Sequence, residues 1–88
     1  MENEAILAQL TKVLEQNQVT IRSEALGGSG GGLCRMKGES LFFLDKDASD
    51  AENAAAAAKA IVVAISDLET IYLKPAVREF IDKHADGR

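Results

Sequence analysis

The residues best suited to chemistry in this chain gather in its first half. Gly27-Gly28-Ser29-Gly30-Gly31-Gly32 offers successive backbone amides with almost no side chain. Amides in a loop free to take positive φ form a nest that binds an anion. Arg22 precedes the loop and Arg35 follows it closely. If the strands that carry them pair across the loop, both guanidinium groups approach its base, and a phosphate or carboxylate suits the pocket. The expected ligand-binding set is therefore Gly27, Gly28, Ser29, Gly30, Gly31, Gly32, Arg35 and Arg22. The competing reading is a slack connection between strands, since each glycine loses extra chain entropy on folding and a rigid hairpin needs fewer.

The established phosphate motifs do not fit. A P-loop requires Lys and Ser or Thr after its last glycine and then a helix, whereas Leu33-Cys34 follows here in a segment that reads as strand. The dinucleotide fingerprint counted from Gly28 would need glycine at Leu33 and a βαβ unit.

Cys34 is the one nucleophile candidate. Beside amides and Arg35, its thiol would ionise more readily and serve as a nucleophile or redox sensor. The single histidine, His84, stands far along the chain, so a base for Cys34 depends on the fold. A lone cysteine in a strand more often packs as a small hydrophobe. Asp45, Asp47, Asp50 and Glu52 form an acidic run. An apolar strand ending in Asp-x-Asp looks like the first motif of haloacid-dehalogenase-type phosphatases, but those domains are much longer and use further distant ligands. An EF-hand loop counted from Asp45 would place Asp50 at the glycine position and Ala56 at the glutamate position. The carboxylates fit a helix start better. No metal or cofactor is expected.

These groups must be positioned by a short chain. Eighty-eight residues make one domain near the lower limit of independent folding. Much of the apolar content is alanine, so the core rests on a short set of larger side chains, Val62 and Val63 among them, and a homodimer would bury more. The net charge of −4 and pI near 4.9 do not suit a general nucleic-acid or anionic-membrane binder. One cysteine implies no disulfide framework, the acidic start is unlike a signal peptide, and the longest apolar run, 54–65, is broken by Lys59. The expectation is a complete cytoplasmic protein.

The apolar spacing of Ile6, Leu10, Val13 and Leu14 predicts a helix over 3–16, with Asn3 as its N-cap and Asn17 in a left-handed stop. Alternation at Val19 and Ile21 predicts a strand within 18–25. Leu33–Lys37 and Glu39–Asp45 read as a hairpin turned at Lys37-Gly38. Leu41-Phe42-Phe43-Leu44 is apolar throughout, so both faces of that strand are expected to be covered. Ser49-Asp50-Ala51-Glu52 is a capping box opening a helix to about Asp67. Glu69–Leu73 offers an optional fourth strand. Pro75 opens a last helix carrying Val77, Phe80, Ile81 and His84 and ending at Gly87, with Arg78-Glu79 as an exposed pair. The fold class is α+β in the order α-β-β-β-α-(β)-α, with a three-stranded antiparallel sheet packed with helices.

The segments Gly31-Gly32-Leu33-Cys34-Arg35-Met36-Lys37-Gly38, Phe43-Leu44-Asp45 and Ile71-Tyr72-Leu73-Lys74-Pro75-Ala76-Val77-Arg78-Glu79 resemble a set of short bacterial proteins without established activity. The resemblance implies a small bacterial protein and carries no catalytic residue. The expected function is a non-enzymatic binding module that meets an anionic ligand or protein partner through loop 27–32 and Arg35. The rival is a thiol enzyme or redox sensor using Cys34.

Overall fold

The computed structural model describes residues 1–85. Helix α1 covers Asn3–Gln16, strands β1, β2 and β3 cover Val19–Glu24, Gly32–Met36 and Glu39–Asp45, and helices α2 and α3 cover Asp50–Ala64 and Pro75–Ala85. The α+β class and the three helices agree with the patterning. The expected end at Gly87 lies outside the described residues.

Helix α1 buries Ile6, Leu10, Val13 and Leu14, the stripe its spacing marks. Its ends differ from expectation. Glu2 occupies the cap position and Asn3 is already helical. The left-handed residue is Gln18, with φ 67°, one place beyond Asn17. Asn17 supports the end differently, its Nδ2 donating to the Val13 carbonyl at 2.8 Å. That bond satisfies one of the carbonyls orphaned at a helix terminus.

The sheet order is β1-β3-β2. It is mixed, which corrects the antiparallel expectation: β3 runs antiparallel to β2 and parallel to β1. The reason lies in the glycine loop. It does not fold β1 back onto β2. It carries the chain across the end of β3, over two strand spacings or roughly 10 Å. Parallel neighbours need a long connection, and here the loop, β2 and the Lys37-Gly38 turn supply it together. That turn takes positive φ at both residues, 53° and 81°, the twist that suits a two-residue hairpin.

Strand β3 is central, as its apolar run implies, and its helix-facing side carries the core. Phe42 is fully buried among the helices, joined by Val19, while Ile21, Leu33 and Leu44 pack at the margin of that core. The alternate residues share the opposite face by register: Thr20 and Arg22 on β1, Leu41 and Phe43 on β3, Gly32, Cys34 and Met36 on β2. No described element packs on that face. Leu41 is still buried there and Phe43 half-buried, so the run is shielded on both sides although only one side carries the helix layer.

Helix α2 starts with the predicted capping box. Glu52 N–H donates to Ser49 Oγ at 3.1 Å and Ser49 N–H to Glu52 Oε1 at 2.9 Å. The helix buries Ala54, Ala57, Ala58, Ala60 and Ile61 between α1, α3 and the sheet. It ends at Ala64, short of Asp67, and leaves Val62 and Val63 47% and 76% exposed. These two valines are therefore not core residues. Among the described residues no fourth strand forms: Leu68–Thr70 is a 3-10 turn. The carbonyls of Leu68 and Ile71 instead accept from the Arg78 guanidinium at 3.3 and 3.0 Å. Arg78 is thus a half-buried clamp on this connection and not half of an exposed pair.

Candidate functional site

The loop that crosses β3 is built around an anion belonging to the chain itself. Asp45, the last residue of β3, is completely buried. Its Oδ1 accepts from the amides of Leu26 at 3.0 Å and Asp47 at 2.9 Å, and its Oδ2 from Gly30 at 2.8 Å. The Gly27 amide donates to Asp47 Oδ2 at 2.9 Å, and the Ser29 hydroxyl closes the loop onto the Leu26 carbonyl at 3.1 Å. Of the loop glycines, the Gly30 amide donates to Asp45 and the Gly27 amide to Asp47, so the anions these amides meet belong to the chain itself. Desolvation pushes the Asp45 carboxyl up. The backbone amides of Asp47, Gly30, Leu26 and Gly28 more than offset this, so the group lies below the usual carboxylate value of 3.8.

The glycines divide by role. Gly27, Gly28 and Gly30 have φ of 78°, 85° and 89°, the region that L side chains resist. Gly31 is needed for closeness: a Cβ there would collide with the Phe43 carbonyl oxygen. Gly32 meets neither constraint, and a Cβ would find open space. Four of the five loop glycines therefore stand where a side chain would be strained or would collide.

Behind Asp45 stands Asn53, in the first turn of α2. Its Oδ1 accepts from the Asp45 amide and its Nδ2 donates to the Asp45 carbonyl, both at 2.9 Å. The Lys46 amide also donates to the Glu24 carbonyl at 2.9 Å. The end of β3 is thus tied to β1, to the loop and to α2 at one point. Asp45 was visible in the sequence as an acid closing an apolar run, and Asn53 as a lone amide ahead of an alanine stretch. Neither signal identifies the other as its partner.

The two arginines do not converge. Strand β3 lies between their strands, with Arg22 beside Phe43 and Arg35 beside Ser40. Arg35 belongs to the hairpin end of the sheet, where its Nη2 donates to the Gly38 carbonyl at 3.4 Å. Arg22 lies 3.9 Å from exposed Glu24. Cys34 is half-buried at the middle of β2 on the uncovered face, with its Sγ 4.0 Å from the Arg35 carbonyl oxygen. His84 belongs to the helix layer across the sheet and stacks on Phe80, with ring centroids 4.1 Å apart.

What the loop offers outward is a groove of about 550 Å³, walled by Ser29 to Leu33 on one side and by Glu52, Ala55, Ala56, Lys59, Ala60 and Val63 of α2 on the other. It runs beside β2, whose outer edge pairs with no described strand. Edge amides and carbonyls are available to another extended chain. Lys59 is exposed and makes no salt bridge among the described residues. Among the described residues no group of three or more His, Cys, Asp and Glu is arranged to hold a metal ion, and no helix is long and apolar enough to cross a membrane. No family model matches the chain, and no curated protein or solved structure is significantly similar to it.

Proposed function

We propose that this protein is a non-catalytic binding module of the cytoplasm whose contact surface is loop 27–32 with the adjoining edge of β2. One observation carries the reading: a strap held rigidly from within by Asp45 borders an open groove alongside an unpaired strand edge. A preorganised edge of this kind binds an extended segment through main-chain hydrogen bonds, with the groove sorting side chains. Lys59 and Arg35 flank the edge from α2 and from β2. They favour a partner, or a smaller ligand, that presents carboxylate or phosphate groups. Self-association through a sheet edge or through α2 belongs to the same reading. Because Asp45 and Asp47 already take the amides of Leu26, Gly27 and Gly30, an external anion would meet the outer rim of the strap and the flanking cations.

The experiment is an amide NMR titration with phosphate, nucleotides and an acidic extended peptide. Saturable shifts confined to Gly28–Arg35 and Glu52–Val63 are expected. Shifts confined to other surfaces would remove the reading. The thiol alternative is separated by labelling: a Cys34 that reacts at neutral pH no faster than a free model thiol counts against it.

A further inference from the structure

We propose that a second copy of this chain occupies the β2 edge, paired antiparallel to it about a twofold axis through Cys34. The proposal rests on the binding-module reading and names its partner. Strand β2 is five residues, Gly32–Met36, so a twofold through the middle residue sets Gly32 opposite the copy's Met36 and Leu33 opposite the copy's Arg35. The sizes fit. Met36 is 51% exposed on the uncovered face. A Cβ on Gly32 would meet nothing within 4 Å, so there is room for the long side chain from across the interface. A bulky neighbour over a strand glycine restores the packing that the glycine lacks.

The charges fit as well. At the strap end Glu52 and Lys59 both line the groove beside Ser29 and Gly30, and the Asp47 carboxylate stands at Gly27, so carboxylates outnumber the one cation there. The hairpin end carries Arg35 and Lys37 against Glu39, a small excess of positive charge. Antiparallel pairing lays the basic end of one copy along the acidic end of the other, bringing the copy's Lys37 opposite Gly31. Like ends would meet only in the parallel arrangement. The edge has no proline, and its one charged residue is Arg35, so it lacks most of the devices that keep edges apart. A two-fold contact needs this self-complementarity and closes on itself. Val63, 76% exposed on the α2 wall of the groove, would be shielded by the incoming copy.

The geometry sets the two Cys34 residues directly opposite each other. Facing residues of an antiparallel pair have Cα atoms about 4.5–5.5 Å apart, within the span of a disulfide. Diamide is therefore the probe: it takes two electrons and two protons from the two thiols, leaving one S–S bond and the reduced hydrazide. The expected result is a species of twice the 9.4 kDa chain mass by analytical ultracentrifugation, which diamide converts to a covalent dimer faster than it links the urea-unfolded chain. Met36→Glu changes an exposed side chain, so the monomer stays folded by circular dichroism, and loss of the dimer is expected. A monomer from micromolar to millimolar concentration would overturn the proposal. So would a dimer that diamide does not link at Cys34, or one that Met36→Glu leaves intact. A monomer that still shows saturable groove shifts with peptide would sink the self-pairing and leave the binding-module reading standing.

Discussion

Asn53 holds Asp45 by both of its backbone polar groups, at 2.9 Å each. A side-chain amide thereby does what a further strand would do, closing the sheet at the end of β3 and fixing the start of α2 against it. The carboxylate of the same Asp45 then anchors the strap that crosses over it. Both groups of this pair are buried, and buried polar groups are costly when unpaired.

Asn53→Ala leaves the Asp45 amide without its partner in a dry environment. A loss of about 2–3 kcal/mol is expected, read from the midpoint of urea unfolding at an unchanged m-value. Asn53→Asp is expected to be worse at neutral pH, because its carboxylate would face the Asp45 carbonyl and can donate nothing to it.

Asp45 gives the fold an acid limit. Its carboxyl lies below 3.8 in the folded protein, so the stabilisation it brings is fully present above that value. It is lost as pH falls through the lower folded value. Melting temperatures measured from neutral to strongly acid pH should fall in that window for the native chain. In Asp45→Asn the whole curve should start lower and that acid step should be absent. Parallel curves for the two proteins would refute the assignment.

The glycines of the strap should not be equivalent. Gly31→Ala drives a Cβ into the Phe43 carbonyl and is expected to lose more than about 3 kcal/mol or to prevent folding. Gly27→Ala at φ 78° should lose about 1–2 kcal/mol. Gly32→Ala should stay within about 1 kcal/mol of the native chain. Thermal unfolding of the three variants checks the order.

Arg78→Met removes the clamp on the Leu68 and Ile71 carbonyls while keeping most of the aliphatic stem. A loss of about 1–2 kcal/mol is expected. Amide exchange should accelerate across residues 66–74 and stay unchanged in β3.

Local signals determine much of this protein's secondary structure. The apolar period of α1, the capping box at Ser49 and Glu52, the Lys37-Gly38 hairpin and Pro75 at the start of α3 each act within a few residues. Such signals depend only on backbone chemistry and the spacing of apolar side chains. The tertiary structure alone decided the rest. Whether the glycine run turned β1 back onto β2 or carried it over β3 depended on which strand edge gained more, and nothing local measures that. Insertion of β3 between the others made the sheet mixed and separated Arg22 from Arg35. Contacts between Asp45 and Gly30, between Asp45 and Asn53, and between Gly31 and Phe43 join residues that the sequence spaces apart. The glycine run was compatible with an anion nest and with a slack connection. Only the crossing of the strap over the end of β3 decided that the anion inside it would be the chain's own carboxylate.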